Sequence, residues 1–187
     1  MTTEGRAVVF AAIVGSSMTF IDGTIVNVTL PVLRRRLSAS PTELQWIVES
    51  YMLLLASLIL VGGALGDRWG RRRVFVAGTL LFAAASAACG LVSSPAPMIA
   101  ARAVQGLGAA LLVPGSLALI SATFSKEHRG RAIGTWAAWT SIAAGAGPIA
   151  GGWLVESFSW RFLFLLNLPL AALVVAVAWW RVPESCG

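Results

Sequence analysis

Six long apolar runs, parted by short polar or proline-rich breaks, make up almost the whole chain. They cover about residues 7–33, 44–65, 74–92, 98–120, 132–155 and 162–180. Each is close to the ~20 residues that an α-helix needs to cross a bilayer. A strongly basic turn, Gly66-Asp67-Arg68-Trp69-Gly70-Arg71-Arg72-Arg73, follows the second run. Ser93-Ser94-Pro95-Ala96-Pro97 ends the third, since proline rings cannot continue a helix. Ser125 to Arg131 forms a polar loop after the fourth. Ala7 to Ile21 is read as the start of a span and not as a leader, because five more apolar runs follow it. The pattern predicts an all-α integral membrane protein, with residues 1–187 forming a single bundle of six transmembrane helices.

Composition agrees. Of the 187 residues 57% are hydrophobic and 12% charged, and the mean hydropathy is +0.80. A soluble domain carries about twice that charge. The net charge of +6 does not point to nucleic acid, because the basic residues sit in clusters between apolar runs, where they set membrane orientation. Nine of them (Arg6, Arg68, Arg71, Arg72, Arg73, Lys126, Arg129, Arg131, Arg181) lie on one side and four (Arg34, Arg35, Arg36, Arg161) on the other. Both termini are therefore expected in the cytoplasm, with the bundle in the cell membrane. The Arg34–Arg36 run goes against the rule. Trp46, Trp69, Trp160, Trp179 and Trp180 fall near span ends, where their rings favour the headgroup layer. Trp136, Trp139 and Trp153 lie deeper and are expected to pack or to line a cavity.

Enzyme chemistry finds no support. Cys89, Cys186 and the single histidine, His128, make neither a disulfide framework nor a metal site. No glycine-rich phosphate loop closed by Lys-Ser or Lys-Thr is present, so no ATP site and no cofactor is expected. A Ser-His-Asp arrangement is missing too. Six spans divide into two triplets, the inverted-repeat unit of many transporters. Asp22 and Arg102 then lie in the leading helices of the two triplets.

Charges within a membrane persist only when paired or facing water. Desolvation disfavours an ionised carboxylate and a nearby cation favours it, so a carboxylate–arginine pair makes a conformation-sensitive proton site. Asp22 and Arg102 are expected to meet across the bundle interior, either as that device or as a static pair holding two helices together. Glu49 lies one turn into the second span. It is a possible proton or cation site, or it snorkels to water. Arg102, Gln105, Gly106 and Ala109 share one helical face. Asn27, Gln105 and Trp136 are candidates for a substrate cavity. The fifth span contains Gly145-Ala146-Gly147-Pro148-Ile149-Ala150-Gly151-Gly152. There Pro148 should bend the helix and the glycines permit close packing, although both residues are common in membrane helices.

These stretches together resemble the major facilitator superfamily over its first six spans. Gly63-Ala64-Leu65-Gly66-Asp67-Arg68-Trp69-Gly70-Arg71-Arg72-Arg73 is similar to that family's loop between spans two and three. Span four resembles its proton-coupling motif. Gly147, Pro148, Gly151 and Gly152 resemble the end of its antiporter motif, with Ala143 where a further glycine is frequent. Ile21 to Pro31, Gln45 to Tyr51 and Trp160 to Pro169 are similar to stretches of the fourteen-span drug:proton antiporters. The resemblance implies a cytoplasmic gate at Gly63, Asp67, Arg68, Gly70, Arg71 and Arg72, proton coupling at Asp22 and Arg102, and hydrophobic or cationic drugs as substrates. The expected partners are the lipid bilayer, protons and a small lipophilic substrate.

Family members continue past span six, so the chain is expected to be a fragment that transports only with a C-terminal half or a second copy. A non-transporting remnant or assembly partner, and an uptake carrier for a small metabolite, remain the alternatives.

Overall fold

A computed structural model describes residues 3–185, and every regular element among them is an α-helix. Cys186 lies outside the described residues. The helices are α1 (Thr3–Leu37), α2 (Pro41–Trp69), α3 (Arg71–Leu91), α4 (Pro95–Thr123), α5 (Lys126–Ser157), α6 (Arg161–Leu165) and α7 (Asn167–Arg181). Local chemistry explains their ends. At the close of α1, Ser38 adopts a left-handed conformation (φ 53°), and the Ala39 N–H reaches back to the Arg34 carbonyl at 3.1 Å. This is the six-to-one closure usual at helix C-termini, here without glycine. Ser40 then opens α2 in a reciprocal capping box with Glu43, and Pro41 occupies the first turn. Gly70, at φ 102°, separates α2 from α3. Pro169 lacks the N–H that would bond to the Leu165 carbonyl, and the last span breaks there into α6 and α7.

By length and composition, α1, α2, α3, α4 and the α6–α7 stretch are able to cross a membrane. The expected fifth span, 132–155, falls inside α5, which is long enough at 32 residues but less apolar than the others. Gly, Ser, Thr and Trp hold positions there that Leu, Ile and Val hold elsewhere. A further correction concerns Trp160, which is buried edge-to-face against Phe164 and not exposed at a span end. Trp46, Trp69, Trp179 and Trp180 are exposed as expected; Trp139 and Trp153, expected to pack or to line a cavity, are exposed on the bundle surface as well.

Packing follows the division into triplets. α2 lies along α4 as α5 lies along α1; α3 packs on α4 as α7 packs on α1; α1 meets α4, and α3 meets α7. Exchanging the triplets leaves this set of neighbours unchanged. Because three crossings return the chain on the opposite face, the two triplets are inverted. Backbones touch where residues are small. A methyl group added at Gly62 would collide with the Ala110 carbonyl, and one at Gly106 with the Tyr51 carbonyl. One at Gly108 would lie 2.6 Å from the Phe82 nitrogen. Small residues replace hydrophobic driving force as the basis of helix association in lipid.

Two apolar clusters fill the bundle. One gathers Val8, Met18, Phe75, Phe82 and Leu112; the other gathers Ile25, Ile47, Met98 and Phe164. On each of α1, α3, α4 and the last span, the chain passes from one cluster to the other through a polar residue: Asp22, Ser86, Gln105 and Asn167.

Gly62→Val should push α2 off α4 and destabilise the bundle by about 1–3 kcal/mol. Gly145→Ala, where nothing lies within 4 Å, should be neutral or stabilise by up to about 1 kcal/mol. Thermal unfolding of the detergent-solubilised chain measures both; equal losses would refute the close α2–α4 contact.

Candidate functional site

The polar layer between the two clusters is built around Arg102. This residue is 1% exposed, and Asp22 is 2% exposed. Arg102 Nη1 donates to Asp22 Oδ2 in a direct ion pair and to Gln105 Oε1 at 2.7 Å. Its Nε donates to the Ile47 carbonyl at 3.1 Å, and its guanidinium lies 4.2 Å from the centre of the Tyr51 ring. Gln105 Nε2 donates to Asp22 Oδ1 at 2.9 Å and to Ser86 Oγ at 2.7 Å. Asn167 Nδ2 donates to the same hydroxyl at 2.9 Å, and the Cys89 thiol lies 3.7 Å from Gln105 Oε1. Both carboxylate oxygens are therefore held, and the cation meets a carboxylate, an amide, a carbonyl and a π-face. A buried ion pair is tolerated only when its remaining valences are met in this way.

Helical geometry brings these groups together. Arg102 and Gln105 are three residues apart on α4 and point the same way. Asp22 comes from α1, Ile47 and Tyr51 from α2, Ser86 from α3 and Asn167 from the first position of α7. The cluster thus ties five helices. A second polar seam runs beside it: Ser16 and Ser116 hydroxyls lie 2.9 Å apart, Trp136 Nε1 donates to Ser16 Oγ at 3.1 Å, and the Tyr51 hydroxyl donates to the Thr19 carbonyl at 3.1 Å.

The remaining expected residues scatter. Gln105, expected at the cavity, is fully buried inside the ion-pair cluster, because α2 and α3 close over that face of α4. Asn27 is exposed, with its amide donating to the Gly23 carbonyl of its own helix at 3.1 Å. Trp136 is half-buried and edge-on to Phe20. Glu49 is exposed, accepts from Gln45 Nε2 at 2.7 Å, and does not join the cluster. In α5, Gly147 and Gly151 press on Thr24 and Ile25 of α1, whereas Gly152 has nothing within 4 Å. The helix continues through the half-buried Pro148.

At the α2–α3 turn, Arg71 Nε and Nη2 donate to Asp67 Oδ1 at 3.0 and 2.8 Å across Gly70. A methyl group added at Gly63 would meet only Pro114, at 3.9 Å, and Arg68 is exposed. Glu184, which the sequence does not single out, lies against the start of α3. Its Oε1 accepts the Arg72 backbone N–H at 3.0 Å, and its Oε2 lies 3.6 Å from Arg72 Nε and 3.5 Å from Arg73 Nε. The Arg71 N–H donates to the Ser185 carbonyl at 2.8 Å, and Arg72 Nη1 to the Val182 carbonyl at 3.0 Å. An anion there satisfies the open donors of a helix N-terminus. Ser86, Tyr51 and Asn167 also go unassigned in the sequence. None of the three carries a charge, so none stands out inside an apolar run.

Removing one member of the pair leaves the other charge buried alone. Asp22→Ala should cost about 3–5 kcal/mol. The double variant Asp22→Leu/Arg102→Met should cost less than Asp22→Ala by itself. Chemical unfolding in detergent decides, and a double variant at least as damaged as the single one would contradict the buried-charge account.

Comparison with known proteins completes the picture. Residues 12–185 match the family model described as Major Facilitator Superfamily. Multidrug resistance protein Stp of Mycobacterium tuberculosis is 45% identical over 173 residues, which are 92% of this chain and 32% of that protein. The Methylenomycin A resistance protein of Bacillus subtilis is 38% identical over 95% of this chain and 38% of its own length. Methyl viologen resistance protein SmvA of Salmonella typhimurium is 42% identical over 89% of this chain and 34% of its own length. The chain thus spans about a third of the length of these relatives. Among solved structures, a bacterial homologue of the human lysosomal transporter Spinster shares the fold, with a TM-score of 0.78 at 20% identity over 98% of this chain and 45% of that one. The inverted triplets, the buried ion pair and the match across nearly the whole chain agree: this protein belongs to the Major Facilitator Superfamily of membrane transporters.

Proposed function

We propose that the chain forms one half of a proton-coupled exporter of hydrophobic or cationic small molecules, and that Asp22 is the proton-binding group. The observation that carries this reading is the buried Asp22–Arg102 pair between the leading helices of the two triplets. Protonating Asp22 removes the charge that balances Arg102. The guanidinium must then find another acceptor or reach water, and either outcome shifts α4 against α1. A ligand or a proton moves such an equilibrium only through its different affinity for the two states. Here that difference is the energy of one buried ion pair.

Export of drugs is supported by the resistance functions for which the relatives are named. Asn27, Trp136 and Phe20 offer an amide and two rings on or near the open surface of α1 and α5, suited to an apolar or cationic guest. The other wall of the cavity would come from further spans or a second copy. The α2–α3 turn, with Asp67 and Arg71 bonded across Gly70, acts in this reading as the cytoplasmic gate. The excess of basic residues at that end supports cytoplasmic termini and a cell-membrane location.

The test places residues 1–187 in a full-length transporter, joined to the remaining spans of a relative such as Stp. Drug uptake into everted vesicles, driven by an imposed proton gradient, is then measured. Asp22→Asn should reduce uptake to the level of empty vesicles, and Arg102→Ala should do the same with the protein still inserted. Uptake at the unsubstituted rate in the Asp22→Asn variant would end the coupling role of that residue.

A further inference from the structure

We propose that the α1–α2 turn binds an anionic phospholipid, its phosphate held by Arg34 and Arg35 and its acyl chain laid over Leu30, Pro31 and Leu44. This inference rests on the membrane embedding of the bundle and is independent of the transport reading.

Three consecutive cations end α1, and all three are exposed. None forms an ion pair or a side-chain hydrogen bond among the described residues. The comparable run of three on the opposite membrane face is treated differently, since Arg71, Arg72 and Arg73 each meet Asp67 or Glu184. Arg161, the other cation of the α1–α2 face, is also committed. It donates to the Val92 carbonyl at 3.2 Å and covers the Trp160 ring at 4.6 Å. The carbonyls at the end of α1 favour positive charge, but the Arg34 carbonyl is already taken by Ala39. Among the described residues, three adjacent cations on the face with fewer basic residues thus form no ion pair, and the one carboxylate that shares a groove with them, Glu156, lies on the Arg35–Arg36 side.

A groove of about 720 Å³ adjoins them, lined by Leu30, Pro31 and Leu44 together with Arg34, Arg35 and the Ser38–Ala39 turn. Its order is vertical. Leu30 lies four residues before Arg34, and Pro31 four before Arg35, so each apolar side chain sits about one helical turn, ~5.4 Å, deeper than its arginine on the same face. Leu44 supplies the facing wall from α2. Two guanidinium groups above an apolar slot match a phosphate above a hydrocarbon chain. Arginine forks suit phosphate oxygens in particular. A free phosphate ion would use only the upper half of this arrangement.

The neighbouring groove helps to fix the choice of side. Arg35 and Arg36 line it with Val32, Val155 and Glu156. The Glu156 carboxylate disfavours an anion there. Among the described residues, no carboxylate lines the groove of Arg34 and Leu30.

The experiment uses the purified 187-residue chain, with bound lipid counted by native mass spectrometry after exchange into phosphatidylglycerol or phosphatidylcholine of equal chain length. The unsubstituted chain should retain phosphatidylglycerol in preference to phosphatidylcholine. Arg34→Gln/Arg35→Gln should weaken that retention by about thirtyfold, the product of two headgroup-level cations. Lys126→Gln/Arg131→Gln removes the same charge from the opposite face and should leave retention unchanged. Leu44→Ser should weaken retention with every charge kept. Millimolar inorganic phosphate should not displace the lipid. Equal retention of the two lipids by the unsubstituted chain would overturn the proposal whatever the variants do. Equal losses in the two double variants would replace the site by diffuse surface attraction, and displacement by inorganic phosphate would reduce it to an anion site without a lipid.

Discussion

The burial of Arg102 constrains everything around it. A guanidinium at 1% exposure between two apolar clusters is sustainable only if its neighbours supply a counter-charge and enough acceptors. Asp22 and Gln105 do so with side chains, Ile47 with a backbone carbonyl and Tyr51 with a ring. These groups come from three helices, so the three must approach closely and in register. The small residues of α4 make that approach possible. Gly106 lets the backbone of α2 lie against α4 one turn after Arg102, and Gly108 does the same for α3. The polar contacts specify position, and the missing side chains allow it.

The same constraint explains what could be read from residues alone. A charge in an apolar run has few physical excuses, so Asp22 and Arg102 stood out, and the structure brings them together. The helical-face argument also placed Gln105 beside Arg102. It could not tell whether that face meets water or protein, because α2 and α3 decide this. Ser86 and Asn167 were silent for a different reason. Small polar residues in spans commonly bond a carbonyl of their own helix, as Thr79 does to Phe75 and Thr140 to Trp136. Glu184 reads as a solvated tail charge, and its contact with Arg72 closes a gap of 112 residues. No local pattern carries such a pairing. Each apolar run coincides with a helix or helix pair, because apolar length sets both, whereas the break before Asn167 depends on a single proline.

The polar layer also connects places that lie far apart along the chain. From Asp22 the hydrogen bonds run through Gln105 to Ser86 and on to Asn167, the residue that resumes the last span after its break. At one end of the bundle, Glu184 fastens the segment after that span to the start of α3. The last span is thus held at its interruption by the charge cluster and at its exit by the basic turn. In the proposed mechanism a change in the state of Asp22 is felt along this span, because one of its two anchors is an amide that shares the Ser86 hydroxyl with Gln105.

α5 is the exception to apolar composition, and the exchange of triplets makes the contrast plain. Its counterpart under that exchange is α2. These two long helices are the flanks of the bundle: α5 rests mainly on α1, and α2 mainly on α4. Both leave most of their surface open, with Leu53 and Leu60 outermost on α2 and Ile149 and Trp153 on α5. A helix that contacts one neighbour through a narrow stripe needs small residues in the stripe, and Gly147 and Gly151 meet that need on α5. The rest of its surface is then free to be chosen for something other than the bundle's own core. If both flanks faced only lipid, Leu, Ile and Val should dominate them equally. α2 obeys this expectation and α5, with its Gly, Ala, Ser, Thr and Trp, does not. Small residues on an outward face suit close approach by another helix better than contact with acyl chains. The composition that disqualifies α5 as a simple span is therefore what the proposed second wall of the cavity requires.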